Sequence, residues 1–463
     1  AVAMQALLSG EGSRWMLART RERLEDAHYR PVISIVMPVH DTPPALLAAA
    51  GDSVREQIYP DWELCIADDA STRDETSVAL RRLAASDPRI RVVTLPANRG
   101  ISGATNAALE LAQGEFVALL DHDDTLAPDA LAEIVLALNE DPEIDVLYTD
   151  QDKIDDEGRR SEPFFKPDWS PDYFLRVMYV GHLLVFRRAL AARVGGFDSR
   201  FDRVQDYEFM LRLSEHTQRI RHVPHILYHW RATAGSIAAD ANAKGDVEKL
   251  QVAAVRAHLE RKGVAARVHS DPHFHHHAVL EPPPRAHWPK VSIVIPTRDA
   301  PHHIGRCLAS IFERTTYPDF EVVAVDNGTT DRTARAILEQ YRIRVVPYDE
   351  PFNFSRANNL GVAAAAGEYA LDHGPDLVVL LNNDTEVITP DWLQLLVFHL
   401  EQPDVGAVGP LLLYPDDTVQ HAGVVIGARG TADHVMRHFP AETDGYAGSL
   451  SCTREVSAVT GAC

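Results

Sequence analysis

Cysteine, long apolar runs and positive charge are all scarce in this sequence of 463 residues. The four cysteines lack metal-ligand spacing, which favours a reducing compartment and provides no disulfide framework. No apolar run reaches the roughly 18 residues that a membrane-spanning helix needs, and residues 1–10 do not read as a secretory signal. With 67 acidic and 45 basic residues, the formal net charge of -22 argues against general nucleic-acid binding.

An internal repeat organises the chain into two copies, and its period is far too long for a solenoid. A β-branched apolar run ends at Pro38, and a similar run ends at Pro296. Further matching pairs follow in the same order: Tyr59-Pro60 with Tyr317-Pro318, Asp68-Asp69-Ala70-Ser71 with Asp326-Asn327-Gly328-Thr329, Ala104-Thr105-Asn106 with Ala357-Asn358-Asn359, Gly114-Glu115 with Gly367-Glu368, and Leu119–Asp123 with Leu380–Asp384. The pattern indicates domain duplication.

Alternating apolar runs and helical periodicity predict an α/β fold for each copy, with a mainly parallel, doubly wound sheet. In the first copy we expect strands at 33–37, 63–67, 92–95 and 116–120, and helices at 45–57, 76–85 and 102–112. The predicted limits are a helical lead-in at 1–30, a first domain at 31–238, a helix and Pro-rich linker at 239–288, and a second domain at 289–463. Because ligands of such sheets gather at the carboxyl ends of the strands, Pro38 and the nearby aspartates are candidate site residues.

Two carboxylates, Asp121 and Asp123, follow the fourth predicted strand. At a strand end, such a pair can share a hard divalent cation that neutralises the charge of a diphosphate. Asp68 and Asp69 follow the second strand and can accept hydrogen bonds from a base or a ribose hydroxyl. The alternative for Asp68 and Asp69 is that they cap the following helix.

Three further segments carry weaker signals. The loop at 98–106 contains Arg99 and Gly103 and opens a helix, which suits a phosphate or a base. The segment His229-Trp230-Arg231, with Gly235-Ser236, could be a lid or a phosphate contact, or a structural aromatic. Asp206 stands in the first turn of a helix, where it would also stabilise the helix dipole. The histidines at 273 and 275–277 are expected to lie on the surface.

Taken together, these motifs resemble family 2 glycosyltransferases with the GT-A fold. The motifs are Val-Ser-Ile-Val-Ile-Pro, Asp-Asp-Ala-Ser, Asn-Arg-Gly, Asp-His-Asp-Asp, Gly-Gly-Phe-Asp and Gln-Asp-Tyr-Glu. The resemblance covers 31–231 and 290–463, and tandem members resemble bacterial O-antigen and cell-surface polysaccharide enzymes, including rhamnosyltransferase-like proteins. It implies two tandem GT-A domains with a doubly wound mixed sheet and an inverting, metal-assisted sugar transfer from a nucleoside diphosphate-sugar.

The resemblance also assigns roles to residues of the first copy. Asp206 would be the general base, although the family usually has Glu where Gln205 precedes it. Asp121 and Asp123 would hold Mg²⁺ or Mn²⁺. The donor would be bound by Pro38, Val39, Asp68, Asp69, Arg99, Gly103, Asp121, His122 and Asp123.

The second copy departs from this pattern. Its nucleotide-binding residues would be Pro296, Asp326, Asn382 and Asp384, and its metal motif Asn382-Asn383-Asp384 has one carboxylate fewer. Val459–Cys463 aligns with Tyr179–Leu183, so the sequence has no counterpart of Leu184–Arg231 and none of Asp206. We therefore expect an inactive, C-terminally truncated second domain that is a nucleotide- or glycan-binding module.

A sugar nucleotidyltransferase is the competing enzyme class, but Pro38-Val39-His40-Asp41 supplies no Gly-rich, basic triphosphate loop. The expected partners are a UDP- or dTDP-linked donor and a glycan or lipid-linked oligosaccharide acceptor, with no nucleic acid. The resemblance places the protein in the cytoplasm, with peripheral contact to membrane-bound assembly proteins at the inner face of the cell membrane.

Overall fold

The computed structural model describes residues 10–232, 244–366, 377–427 and 430–463. The chain divides into two compact units. The first comprises Ala1–Val264, Val268–Val279 and Cys452–Arg454, and the second comprises Ala265–Arg267, Leu280–Ser451 and Glu455–Cys463. Among the described helices, none combines the length and the apolar character needed to cross a bilayer.

The first unit contains a nine-stranded mixed sheet in the order β3-β2-β1-β4-β8-β6-β9-β5, with β7 paired to β6. Its strands are β1 Ile33–Val39, β2 Trp62–Asp68, β3 Ile90–Thr94, β4 Phe116–Leu119, β5 Thr125–Leu126, β6 Val146–Ile154, β7 Arg160–Phe164, β8 Leu184–Arg187 and β9 Ile220–Arg231. Strands β1–β4 pair in parallel, whereas β8 pairs antiparallel with β4 and with β6. Strands β6 and β9 also pair in parallel, whereas β7 pairs antiparallel with β6 and β5 pairs antiparallel with β9. The expectation of a mainly parallel sheet therefore holds for β1–β4, and the sheet as a whole is mixed.

The helices of the first unit are α1 Gly10–Glu25, α2 Pro44–Arg55, α3 Asp74–Ser86, α4 Gly100–Leu111, α5 Ala130–Glu140, α6 Pro171–Arg176, α7 Arg188–Val194, α8 Gln205–Ser214 and α9 Lys244–Lys262. All seven residues of β1 are buried, as expected of a central strand covered on both faces. Its side chains join those of β2, α2 and α5 in one apolar core. Strands β10 Arg267–Ser270 and β11 Ala278–Glu281 pair with each other after α9.

The second unit repeats the parallel part of this design. Its sheet has the order β14-β13-β12-β15, built from β12 Val291–Thr297, β13 Phe320–Asp326, β14 Arg344–Pro347 and β15 Leu377–Leu380. The accompanying helices are α10 Pro301–Arg314, α11 Arg332–Gln340, α12 Phe354–Ala366 and α13 Trp392–Leu400. Four short strands follow: β16 Leu412–Leu413, β17 Val419–His421, β18 Val424–Ile426 and β19 Ala432–His434.

The duplication extends to individual hydrogen bonds. The buried Tyr59 hydroxyl donates to the carbonyl of Pro31 at 2.8 Å, and the Tyr317 hydroxyl donates to the carbonyl of Pro289 at 2.7 Å. In each copy this bond ties the segment before the second strand to the residues that lead into the first. The Tyr-Pro match of the repeat therefore marks a shared structural contact.

We predict that Tyr317→Phe lowers the free energy of unfolding by about 1–3 kcal/mol, because the carbonyl of Pro289 loses its donor. Tyr59→Phe should have an effect of the same size through Pro31. Tyr341→Phe is the matched control, since the Tyr341 hydroxyl makes no hydrogen bond within the described residues, and it should change stability by less than about 0.5 kcal/mol. Urea denaturation measures all three, and equal losses in Tyr317→Phe and Tyr341→Phe would contradict the assignment.

Candidate active site

The parallel strands β1, β2 and β4 bring the predicted donor residues to one edge of the sheet. Val39 pairs with Asp68 at the ends of β1 and β2, and the N–H of Asp69 donates to the carbonyl of Val39 at 2.8 Å. Pro38 lies in β1 one residue before Val39. The sequence prediction that these residues share one edge is thus matched by the strand register.

Asp68 and Asp69 are both nearly fully buried. Oδ1 of Asp68 accepts the N–H of Ser71 at 3.0 Å, and Oδ1 of Asp69 accepts the N–H of Arg99 at 2.6 Å. Asp69 therefore ties the start of α4 to the end of β2, while the side chain of Arg99 is exposed. Donor binding by these two aspartates and by Arg99 stays a prediction.

Asp41 has a role that the sequence analysis missed. Its Oδ1 accepts the N–H groups of Thr72 and Arg73 at 2.7 and 3.0 Å, just before α3. Hydrogen bonds from the Thr72 hydroxyl and the Arg73 amide lower the pKa of the Asp41 carboxyl. Asp299 accepts the corresponding amides of Thr330 and Asp331 in the second copy. The recurrence of this aspartate in both copies was the signal that could have found it, and Asp68 is not the residue that caps these amides.

The acidic turn after β4 contains a group of side chains able to hold a metal ion. Within the described residues, this group is Asp121, Asp124 and His182, whose ligand atoms all lie within 4.8 Å of one another. Nε2 of His182 is 3.8 Å from Oδ2 of Asp121. Asp123 does not belong to the group, and its carboxylate lies 3.7 Å from Nδ1 of His122. The structure thus adds Asp124 and His182 to a site that the sequence assigned to Asp121 and Asp123.

Asp124 is fully buried and already has two donors. The Tyr228 hydroxyl donates to its Oδ2 at 2.5 Å, and the N–H of Arg231 donates to its Oδ1 at 2.7 Å. Burial, with a smaller contribution from the charge of Asp121, raises the pKa of Asp124 to about 8. Because both oxygens are engaged, Asp124 fastens β9 to the acidic turn, and the partly exposed carboxylates of Asp121 and Asp123 remain accessible to a ligand.

Asp206 lies in the first turn of α8 and is partly buried. Burial raises the pKa of its carboxyl, while the charge of His182 lowers that pKa and the charge of Asp121 raises it. The carboxyl of Asp206 therefore senses the charges of both residues. The adjacent Gln205 has a buried side-chain oxygen without a hydrogen-bond partner in the described part of the chain. The fold therefore couples the pKa of the predicted base to the charge of Asp121 across a large sequence separation.

Strand β9 supplies a second histidine. His229 pairs with Thr125, directly after the acidic turn, and its Nδ1 lies 2.5 Å from Oδ1 of the buried Asp152. A carboxylate beside Nδ1 accepts a hydrogen bond from the Nδ1–H, which fixes the orientation of the His229 ring. Nε of the buried Arg231 donates to the carbonyl of Asp123 at 2.8 Å. Both residues thus border the turn, whereas Gly235-Ser236 lies outside the described residues.

The second copy keeps the turn and one of its carboxylates, Asp384, which aligns with Asp123. The positions aligned with Asp121, Asp124 and His182 hold Asn382, Thr385 and Ala462. The N–H of Asn382 donates to the carbonyl of Ala462 at 3.0 Å, and the Thr385 hydroxyl donates to the carbonyl of Asn382 at 2.8 Å. Pro296 is buried in β12. Oδ1 of Asp326 accepts the N–H of Thr329 at 2.8 Å, which corresponds to the bond from Ser71 to Asp68 in the first copy. The scaffold is conserved between the copies, and the charges at Asp121, Asp124 and His182 are not.

Comparison with known proteins matches residues 34–195 and 292–438 to the family described as "Glycosyl transferase family 2". An uncharacterized protein of Sinorhizobium fredii is 42% identical over 98% of this chain and 50% of its own length. The O-antigen biosynthesis protein of Myxococcus xanthus is 41% identical over 97% of this chain and 35% of its own length. The chain thus spans half or less of these relatives. A crystal structure of S. aureus TarS with UDP-GlcNAc aligns with a TM-score of 0.41 at 20% identity, over 49% of this chain and 66% of that one.

We predict that the buried Asp124 makes stability fall as the pH rises from 5 to 7.5. Its carboxyl, with a pKa raised to about 8, keeps a proton that the unfolded chain releases near pH 4, so the unfolded chain binds fewer protons in this range. Asp124→Asn has a permanently neutral side chain. Between pH 5 and 7.5 its free energy of unfolding should therefore fall by about 1–3 kcal/mol less than that of the wild type. Urea denaturation in the presence of a chelator measures the difference, and equal slopes would refute the prediction.

Proposed function

The chain belongs to glycosyl transferase family 2, and we propose that its first copy transfers a sugar from a nucleoside diphosphate-sugar to a hydroxyl group of a growing cell-surface glycan, with inversion at the attacked carbon. The observation that carries this proposal is the pairing of His182 with Asp121 at the carboxyl edge of β4, together with the effect of both charges on the pKa of Asp206. A proton acceptor and a diphosphate-binding turn are the two parts that such a transfer needs.

Asp206 is the proposed general base. A carboxylate whose pKa is raised by burial is a stronger base than an exposed one, so it suits removal of a proton from a weakly acidic hydroxyl. In the proposed step Asp206 takes the acceptor's proton as the acceptor oxygen bonds to the anomeric carbon. The bond from that carbon to the diphosphate breaks, and the nucleoside diphosphate leaves with the electron pair.

A divalent cation, Mg²⁺ or Mn²⁺, fits the residues of the turn. Asp121 and Asp123 offer partly exposed carboxylates, which are the hard oxygen donors that these ions prefer. When bound, the cation would neutralise charge on the leaving diphosphate. His182 and Asp124 border the same space, but Asp124 is engaged by Tyr228 and Arg231. We therefore assign the cation to Asp121 and Asp123.

The family and its relatives support a proposed donor and a proposed acceptor. We propose that a UDP- or dTDP-linked sugar is bound by Pro38, Val39, Asp68, Asp69, Arg99, Gly103 and His122 along the edge of the sheet. The Myxococcus xanthus relative is named for O-antigen biosynthesis, which supports a glycan or lipid-linked oligosaccharide as acceptor. Such an acceptor places the proposed reaction at the inner face of the cell membrane, beside membrane-bound assembly proteins.

The second copy is proposed to be a non-catalytic nucleotide- or glycan-binding module. Asn382, Thr385 and Ala462 cannot reproduce the charges of Asp121, Asp124 and His182. Pro296, Asp326 and Asp384 keep the corresponding places at the strand ends and remain the proposed contacts to a ligand.

Asp206→Asn should lower kcat for sugar transfer by roughly 10²–10⁴-fold, because the amide cannot accept the acceptor's proton. The affinity for the donor should change by less than about threefold, since the base contacts the acceptor. Asp156→Asn, in an exposed turn of the first unit, is the control and should retain full activity. Radiolabelled sugar transfer with titration calorimetry of the donor measures both quantities, and full turnover by Asp206→Asn would exclude the proposed base.

Exchanging one aspartate in each copy tests which copy is active. Asp123→Ala should lower kcat at least about 100-fold through lost stabilisation of the diphosphate, whereas Asp384→Ala, the matched change in the second copy, should leave kcat within about twofold. The same transfer assay with Mn²⁺ measures both variants. Loss of turnover in Asp384→Ala with full turnover in Asp123→Ala would reverse the assignment.

A further inference from the structure

Lys166 is a buried lysine that the proposed reaction does not use directly. It follows β7, and its side chain is only 6% exposed. Its Nζ donates to the carbonyls of Val180 and His182, each at 2.5 Å, and to Oε1 of Gln151 at 3.1 Å. These three bonds use all three N–H groups of an ammonium. Burial lowers the pKa of Lys166 well below its usual value, and the charge of Asp150 opposes that shift.

The acceptors of Lys166 all belong to one short loop or contact it. Oε1 of Gln151 also accepts the N–H of His182 at 2.9 Å, so His182 is held at both its N–H and its carbonyl. Between Val180 and His182, Gly181 has a φ of +47°, and a Cβ there would lie 2.7 Å from Oε1 of Gln151. The backbone N–H of Lys166 donates to Asp150 at 2.8 Å, which anchors the lysine to β6.

The ring of His182 is fixed by different contacts. It stacks on Tyr228 with the ring centroids 4.6 Å apart and the planes at 18°. Its Nε2 is 3.8 Å from Oδ2 of Asp121, and its charge influences Asp206. Tyr228 is itself held by Asp124. The imidazole therefore lies beside the proposed cation ligand Asp121, and the hydrogen bonds from Lys166 fix the backbone from which the ring extends.

We propose that Lys166 is a positioning residue for sugar transfer, which clamps the backbone of Val180–His182 and so holds the His182 imidazole beside Asp121. The inference rests on the proposed function of the first copy. Lys166 lies beneath the loop with all of its N–H groups engaged, so it acts through His182 and not on the substrate.

A double-mutant cycle tests this coupling. Lys166→Met keeps the length of the side chain and removes all three donors. It should lower kcat about 10–100-fold, the range typical for loss of a residue that orients a site residue through hydrogen bonds. The KM for the donor should stay within about threefold. In a His182→Ala background, Lys166→Met should lower kcat by less than about twofold further, because the residue through which Lys166 acts is already gone. Additive losses, or a change in KM alone, would overturn the proposal.

Hydrogen exchange of the peptide covering 179–183 gives a readout that needs no activity. In Lys166→Met, the amide hydrogens of this peptide should exchange at least about fivefold faster than in the wild type, because the loop opens locally once the Lys166 hydrogen bonds are lost. Asn139→Leu is the control, because it also removes side-chain bonds to backbone groups, those of His28, Tyr29 and Val135, and should leave this peptide unchanged. Unchanged exchange in Lys166→Met would refute the clamp.

Gln151 provides a second route if Lys166→Met does not fold. Gln151→Leu removes the oxygen shared by Lys166 and His182 and should reproduce the loss of kcat, whereas Gln151→Glu keeps both acceptor bonds and should stay within about threefold of the wild type. Equal activity of these two variants would contradict the proposal. If the wild type transfers sugar from no nucleotide donor, the proposed function fails, and the exchange experiment still decides the role of Lys166.

Discussion

Parallel pairing of β1 with β2 and with β4 is the constraint on which the site depends. Parallel strands all end at the same edge, so residues far apart in sequence, such as Asp68 and Asp121, are delivered to one place without any contact between their side chains. The antiparallel strand β8 then closes the open side of β4 and leads back from the loop that carries His182. The strands beyond β8 add further residues next to the site, but the edge itself is formed by β1, β2 and β4.

Buried ionisable groups cluster around the acidic turn, and each is compensated by hydrogen bonds. Asp124 has Tyr228 and Arg231, Asp152 has His229 and Arg160, and Lys166 has three acceptors. A buried charge without such partners would cost several kcal/mol. Because these contacts join β6, β9 and the loop at 180–182, the groups that support the site also tie these segments to one another. A single substitution there is therefore expected to affect both geometry and stability.

The two copies show which features belong to the fold and which to chemistry. The Tyr59 bond, the Asp41 amide contacts and the Asp68 turn all recur in the second copy, so these contacts belong to the GT-A scaffold, whatever further role Asp68 has in binding. The charges at Asp121, Asp124 and His182 do not recur. Comparison of the two copies thus distinguishes contacts that the fold requires from charges that are specific to the first site. Contacts needed for packing are kept in both copies because both adopt the same fold.

The sequence by itself determined the duplication, the order of strands and helices as far as β4, the resemblance to the family and the candidate aspartates. These features are legible because hydrophobic periodicity and the residues at strand ends are local signals. It placed Asp121 and Asp206 in the same site through resemblance alone. Only the tertiary structure decided that Asp124 is buried, that His182 lies beside Asp121, and that Lys166 clamps the His182 loop. The mixed order of β8, β6 and β9 was likewise outside the reach of sequence. These features depend on contacts between residues far apart in the sequence. The sequence around one partner contains no signal that identifies the other.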